Sequence, residues 1–154
     1  MTDMHGVVRS ASATDPLRIL LRTTESSGEL AVVEIEMIAG SGGPPLHLHP
    51  THGEGFYVLS GRLTFQLGRD VITGGRGTWV FAPRGTPHTL ANFGADTGRL
   101  LCVFAPSGFE RRFERMLAQQ SGQDILGELA ERSEAEQATQ VVGPPLAAPR
   151  RPRA

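Results

Sequence analysis

Apolar and polar residues alternate with a period of two in much of the early and middle chain, and this alternation predicts short β-strands. The clearest segment is ELAVVEIEMI, in which Val33, Ile35 and Met37 alternate with two glutamates. Successive side chains of a strand point to opposite faces, so the pattern is typical of a strand that is buried on one face. The alternating segment 62–68 directly follows the apolar segment 55–61, and the two together predict a β-hairpin.

Further short apolar segments lie close together in the sequence, and each is separated from the next by glycine or proline. They predict additional strands at 17–22, 71–73, 78–82, 88–93 and 99–105. Many short strands with turn residues between them indicate an antiparallel sandwich or a small barrel. We therefore expect an all-β domain over residues 17–106.

The pattern changes to helical spacing after Ala105. The signature Ser107-x-x-Glu110 is typical of a capping box and predicts the start of a helix. Apolar residues then recur every three or four positions: Phe109, Phe113 and either Met116 or Leu117. A second helix is predicted over residues 124–140, with an apolar stripe formed by Ile125, Leu126, Leu129 and Ala130. Both helices are amphipathic, so we expect them to pack on the barrel.

These patterns divide the chain into four parts. Residues 1–16 are small and polar and predict an N-terminal arm, and residues 17–106 form the predicted barrel. Residues 107–142 form the C-terminal helical segment. Residues 143–154 are rich in proline and arginine, and we expect this tail to be disordered.

Composition and charge exclude several classes of function. The formal net charge is -1, so neither a nucleic acid nor a membrane surface is an expected partner. No long apolar segment and no secretory signal are recognisable, and we expect a cytoplasmic protein. The single cysteine, Cys102, excludes an intrachain disulfide and a thiolate metal cluster. The chain has no lysine, which excludes Schiff-base chemistry on a lysine.

Four of the five histidines fall in two short segments that also contain a glutamate. His47 and His49 are two residues apart, so on a strand both imidazoles would lie on the same face. Glu54 follows after a turn-like insert, and His88 begins a later predicted strand. Three imidazoles and one carboxylate would leave positions open on an ion of iron, manganese, nickel, cobalt, copper or zinc. The alternative interpretation is a histidine-rich loop exposed to solvent.

The two segments resemble the two signature motifs of the cupin superfamily. The first motif is matched by His47, His49, Glu54 and Gly61. The second is matched at every spacing by Gly77, Pro83, Gly85, His88 and Asn92. One position departs from the family pattern, because Ser41 stands where the family has a glycine six residues before the first histidine.

The resemblance implies a double-stranded β-helix, a small jelly-roll barrel that is often dimeric, with the C-terminal helices packed on it. It makes His47, His49, Glu54 and His88 the ligands of one divalent first-row transition metal. The segment after the barrel also resembles single-domain cupins described as quercetin-dioxygenase-like. From this resemblance we expect a homodimer with a small-molecule substrate.

Several further residues are candidates for the wall of the cavity. Phe56 and Val58 share the face of Glu54 by the period of two, and Phe65 is a candidate for the same wall. Trp79 and Phe81 are candidates for this wall or for an interface, with burial in the core as the simpler expectation. His52 either reaches the cavity mouth as a proton shuttle or lies in a solvated loop.

The expected function is that of a metal-dependent enzyme acting on a small aromatic or polyketide-like substrate through a metal-bound enolate. Glu54 is the candidate general base. A quercetinase-like dioxygenase is the first hypothesis, and a cyclase, isomerase or dehydratase of secondary metabolism is the second. A non-catalytic domain that only binds a small molecule is the hypothesis from a different class.

Overall fold

The computed structural model describes residues 6–12, 14–150 and 152–153, and the strands in this part of the chain form two antiparallel sheets. In chain order the strands are β1 Leu17–Leu21, β2 Ala31–Met37, β3 His47–Leu48, β4 Gly53–Ser60, β5 Leu63–Leu67, β6 Asp70–Gly74, β7 Trp79–Ala82, β8 His88–Ala91, β9 Gly98–Ala105 and β10 Gln140–Val141. The first sheet has the order β1-β2-β9-β4-β7, and the second has the order β10-β3-β8-β5-β6. The prediction of an all-β fold with C-terminal helices is confirmed.

The core lies between the two sheets. Val33 and Leu100 from the first sheet and Leu63 from the second are fully buried. Phe56 and Phe65, one from each sheet, pack with their ring centroids 5.5 Å apart. Each large apolar side chain buried in this way contributes about 1.5–3 kcal/mol to folding, so this layer holds the two sheets together.

The predicted hairpin of residues 55–61 and 62–68 is wrong. The two strands, β4 and β5, belong to different sheets, and β5 instead forms a hairpin with β6. Between β4 and β5 the chain crosses from one sheet to the other at Gly61, which has a φ of 77°. A Cβ there would lie 2.6 Å from the Cα of Gly98, so only glycine fits this crossing.

Asn92, the last residue of the second motif, ties together three backbone groups inside the barrel. Its side-chain amide donates to the carbonyls of Met37 and Asp96, both at 2.9 Å, and accepts from the amide of Gly94 at 3.0 Å. Asn92 is completely buried, so these bonds satisfy polar groups that water does not reach.

The C-terminal segment is less helical than predicted. Helix α2 begins at Arg111 and ends at Gln120, without the capping box predicted at Ser107. The hydroxyl of Ser107 instead bonds to the Thr23 hydroxyl, and the Glu110 carboxylate accepts from the backbone of Thr23 and Gly108. Thr23 opens the short helix α1, Thr23–Ser26, so these bonds tie the start of the barrel to the C-terminal segment.

The second predicted helix is broken into two pieces. A 3₁₀ turn spans Gly127–Leu129, and helix α3 spans Glu134–Ala138. Gly127 has a φ of 60°, which interrupts a regular helix, and Leu126 of the predicted apolar stripe is 75% exposed. A capping box that the sequence analysis does not predict is present at the start of α3, between Ser133 and Glu136.

Within the described residues, the segments before β1 and after β10 contain no helix or strand. Predictions about residues 1–5, 13, 151 and 154 lie outside the described residues. At the start of the predicted tail, two backbone hydrogen bonds join the chain to Leu46. The amide of Gly143 donates to the carbonyl of Leu46, and the amide of Leu46 donates to the carbonyl of Pro144, both at 3.2 Å. Disorder of the remaining tail stays a prediction. Among the described residues, no helix has the length and apolar character needed to cross a bilayer.

Candidate metal centre

The fold brings the four predicted metal ligands together at one end of the barrel. His47 lies on β3 directly opposite His88 on β8, His49 directly follows β3, and Glu54 is the second residue of β4. The candidate ligand atoms of the four residues all lie within 4.8 Å of one another. Three of the residues are buried and His47 is half-buried, so the cluster is shielded but reachable.

Glu54 lies at the centre of this cluster. Its Oε2 is 3.0 Å from Nε2 of His49 and 2.8 Å from Nε2 of His88. Burial raises the pKa of Glu54, but the two imidazole contacts outweigh this effect and lower the pKa to about 2. Burial also lowers the pKa of His47, whereas for His88 the contact with Glu54 outweighs burial and raises the pKa.

The other ring nitrogen of each clustered histidine faces a hydrogen-bond acceptor. Nδ1 of His47 donates to the carbonyl of Pro45 at 2.7 Å, and Nδ1 of His88 donates to the carbonyl of Thr86 at 2.9 Å. A carbonyl cannot donate, so in both rings Nδ1 carries the proton and the neutral form has its lone pair on Nε2.

For His49, a residue of the C-terminal segment accepts the hydrogen bond from Nδ1, so the proton is on Nδ1 in this ring as well. Its Nδ1 lies 2.8 Å from the hydroxyl of Thr139, which donates its own proton to the carbonyl of Ala135 at 2.8 Å. A hydroxyl has one proton, so Thr139 accepts from Nδ1 of His49. All three imidazoles therefore direct Nε2 to the cluster, as second-sphere contacts do in metal sites.

The donor set fits a divalent transition ion. Ligands at about 2.0–2.2 Å from one ion are at most roughly 4.4 Å apart, so separations of up to 4.8 Å require only small adjustments. Because Nδ1 of each ring already carries a proton, the contacts of His49 and His88 with Oε2 of Glu54 are hydrogen bonds only when Nε2 is protonated as well. When the rings are neutral, the Nε2 lone pairs face the carboxylate, and a shared cation makes this arrangement favourable. Three nitrogens and one carboxylate oxygen are typical ligands of iron, manganese, nickel, cobalt, copper and zinc.

His52 is not the solvated loop residue that the sequence suggested. It is 1% exposed and stacks on His49 with ring centroids 4.2 Å apart. Its Nδ1 contacts the hydroxyl of Thr51 at 2.8 Å, and burial together with His49 lowers the pKa of His52 to about 4. His52 therefore lies behind His49 as a neutral ring, away from the cavity that the cluster faces.

The cluster opens into a cavity of about 390 Å³ whose wall is largely apolar. Phe56 lines this cavity as predicted from the sequence, together with His47 and Glu54. Val58 and Phe65 were predicted to line it but are packed into the core, at 0% and 1% exposure.

Trp79 and Phe81 are predicted in the core, on the cavity wall or at an interface, and the structure places them on the outer surface, so the first two of these predictions are wrong. They are 54% and 50% exposed on β7, an edge strand of the first sheet. Their rings lie over Gly55 and Gly53, where a Cβ would be 2.1 Å and 2.8 Å from ring atoms. The missing side chains of these glycines thus make room for the two aromatic rings.

The C-terminal segment supplies part of the cavity wall, which the sequence did not indicate. Phe109, Arg112, Phe113 and Thr139 line the cavity opposite the sheet residues. Helical spacing marked the two phenylalanines as apolar positions, but it did not reveal what they pack against. For Thr139 and Arg112 the sequence carried no signal.

Comparison with known proteins supports the same fold. Residues 33–104 match the protein-family model described as "Cupin domain". This range includes all four clustered residues and excludes the C-terminal segment. No curated protein matches the chain.

Solved structures resemble the barrel at low sequence identity. A cupin protein from Bacteroides fragilis is 19% identical, covering 68% of this chain and 88% of that one, with a TM-score of 0.57. The polyketide cyclase RemF from Streptomyces resistomycificus is 28% identical, covering 59% and 64%, with a TM-score of 0.52. A structure from Acidithiobacillus ferrooxidans is 26% identical with a TM-score of 0.48, and the match spans 52% of each chain. The aligned part is therefore less than two thirds of the cyclase and about half of the last protein.

Proposed function

We propose that residues 33–104, which match the family model described as "Cupin domain", form a cupin barrel, and that the protein is a metal-dependent enzyme acting on a small, enolisable aromatic or polyketide-like substrate. The observation that supports the proposal is that the His/Glu cluster opens into an apolar cavity. His47 and Glu54 share the cavity wall with Phe56 and Leu100. A substrate oxygen would meet the cluster while the apolar body packs against the wall.

The residues of the cluster have separate roles in this proposal. His47, His49, His88 and Glu54 would hold one divalent first-row ion of iron, manganese, nickel, cobalt, copper or zinc. Bound there, such an ion would act as a Lewis acid that lowers the pKa of an enol or phenol oxygen. Glu54 contacts both imidazoles through Oε2, and no hydrogen bond to its Oε1 is present among the described residues. We assign Oε1 the task of accepting the substrate proton.

The protonation state of Glu54 is compatible with this task. The contacts with the two imidazoles hold the pKa of Glu54 below its usual range, so the carboxylate is ionised at neutral pH and can accept a proton. A carboxylate is a weak base and requires an acidic substrate proton, because proton transfer is efficient when the two pKa values are close. The proposal therefore favours enols, 1,3-dicarbonyl compounds and α-protons of activated ketones over unactivated C–H bonds.

We favour a reaction that does not consume oxygen, such as cyclisation, isomerisation or dehydration. The likeness to the polyketide cyclase RemF supports this choice. The quercetinase-like dioxygenase activity stays a prediction from the sequence, as does the homodimer. A domain that binds a small molecule without turnover is the alternative from another class.

Metal content and proton exchange test the proposal together. We expect elemental analysis to find about one first-row metal ion per chain, and protein that takes up none of the six metals contradicts the proposal. The metal-loaded protein should then catalyse exchange of the α-protons of 2-tetralone in D₂O, followed by NMR. The variant His88→Ala, which lacks one ligand, controls for exchange without a complete centre.

Oxygen dependence separates the two enzyme hypotheses. Exchange that is equally fast under argon and in air supports a non-oxidative enzyme. Oxygen uptake with flavonols that requires the metal would instead establish a dioxygenase. Metal-loaded protein that binds these compounds without either reaction is a binding domain, and the enzyme proposal is then wrong.

The contact between Thr139 and His49 gives a further prediction. Replacing Thr139 by valine removes the acceptor of Nδ1–H and leaves a buried donor unpaired, so we expect metal affinity to fall about 10- to 100-fold. Thr139→Ser keeps the hydroxyl and should restore most of the affinity. Competition with a chromophoric chelator measures the affinity, and the visible spectrum of the cobalt-loaded protein reports the geometry of the centre. Equal affinities of the valine and wild-type proteins would show that Thr139 does not orient His49.

A further inference from the structure

Arg112 provides a positive charge on the wall of the cavity that holds the candidate metal centre. It lies in the first turn of α2, and it lines the cavity together with Phe109, Phe113 and Met116. Its side chain is exposed and makes no hydrogen bond or ion pair within the part of the chain that the structure describes. The guanidinium is therefore free to bind a molecule that enters the cavity.

The neighbouring arginines of α2 are engaged elsewhere. Arg111 donates to the backbone carbonyl of Glu128 at 3.1 Å and faces a different surface groove. Arg115 forms a two-bond ion pair with the buried Glu136, at 2.7 Å and 3.0 Å. Of the three arginines on this helix, Arg112 is the one directed to the cavity.

The carboxylates of the cavity do not neutralise Arg112. Glu36 lines the same cavity, but its Oε2 accepts from Arg99 at 3.0 Å. Glu54 is held by two imidazoles. A divalent ion held by Glu54 and three neutral imidazoles would keep one positive charge, so the cavity as a whole favours an anionic guest.

From this arrangement we propose that Arg112 binds a carboxylate of the substrate, which makes the substrate class an aromatic or polyketide-like acid. This inference rests on the proposed function, because the apolar body of the same molecule would reach the His/Glu cluster. Arginine presents paired N–H groups that match the two oxygens of a carboxylate. The phenylalanines beside Arg112 give the aromatic part of such an acid a surface on which to pack.

Binding of a matched pair of probes tests the inference. We expect 2-naphthoate to bind about tenfold more tightly than the neutral 2-naphthamide, as measured by isothermal titration calorimetry. Arg112→Gln should remove this preference by weakening 2-naphthoate alone, whereas Arg112→Lys should retain part of it. Arg111→Gln removes the same charge from the same helix outside the cavity and should leave the preference unchanged.

Each contrary result overturns the inference. It is wrong if the wild-type protein binds neither probe at millimolar concentration, if it shows no preference, or if Arg112→Gln keeps the preference. An equal loss in the Arg111 and Arg112 variants would show a general charge effect rather than a site. The titration is run on EDTA-treated and on cobalt-loaded protein. A preference that depends on Arg112 in protein that takes up none of the six metals would support the anion site while contradicting the proposed metal-dependent function.

Discussion

Replacing Glu54 by glutamine is expected to lower the rate of α-proton exchange in 2-tetralone by about 100-fold or more, the scale of a general base. Metal binding should change much less, because the three imidazoles remain and the glutamine amide oxygen can occupy the place of the carboxylate oxygen. The variant removes the group that accepts the proton, and its geometry stays close to that of the wild type. Exchange rates by NMR and metal content by elemental analysis give the two measurements.

The control for this experiment is Glu36→Gln. Glu36 is also a carboxylate of the cavity wall, but it is bound to Arg99 and has no contact with the clustered histidines. Exchange by this variant should remain close to that of the wild type. If Glu54→Gln loaded with metal retained full exchange, Glu54 would not be the base. If it lost metal and activity in parallel, its role would be that of a ligand alone.

The strands and the ligand cluster could be predicted because their signals are local. The alternation around Val33 follows directly from the geometry of a strand, and the structure places this residue in the core. The spacing of His47, His49, Glu54 and His88 matched a known pair of motifs, and the structure brings these residues together. Each signal lies within a short segment, and the cluster combines two such segments.

Several of the wrong predictions concern contacts between distant segments. The partner of β5 is not its neighbour β4, because the crossing at Gly61 takes the chain to the other sheet. His52 is polar and lies two residues after Pro50, yet it is buried because Phe104 and Phe109 pack near its ring. The alternation of apolar and polar residues does not show which face of a strand is buried or whether the strand lies at the edge of a sheet. For this reason the expected burial of Trp79 in the core is wrong.

Part of the candidate site lies outside the region that carries motifs. Thr139 accepts a hydrogen bond from His49, and Arg112 adds a positive charge to the cavity wall. Both residues belong to the C-terminal segment, which lies beyond the matched residues 33–104. β10 pairs with β3, with Val141 opposite His47, and so anchors this segment beside the candidate metal ligands. The residues to which we assign substrate binding therefore lie in a part of the chain that a comparison of motifs does not cover.

The glycines before the first histidine give a second prediction with a large effect. At Gly43 the φ is 64°, and a Cβ would lie 1.7 Å from the Leu90 carbonyl oxygen, so Gly43→Ala should cost about 3 kcal/mol. In a domain of this size that loss lowers Tm by about 10 °C. Gly42→Ala is the matched control, because no atom lies within 4 Å of its Cβ position. If calorimetry gave the same Tm for Gly43→Ala and Gly42→Ala, the loop would accommodate the added methyl group and the predicted loss of stability would be wrong.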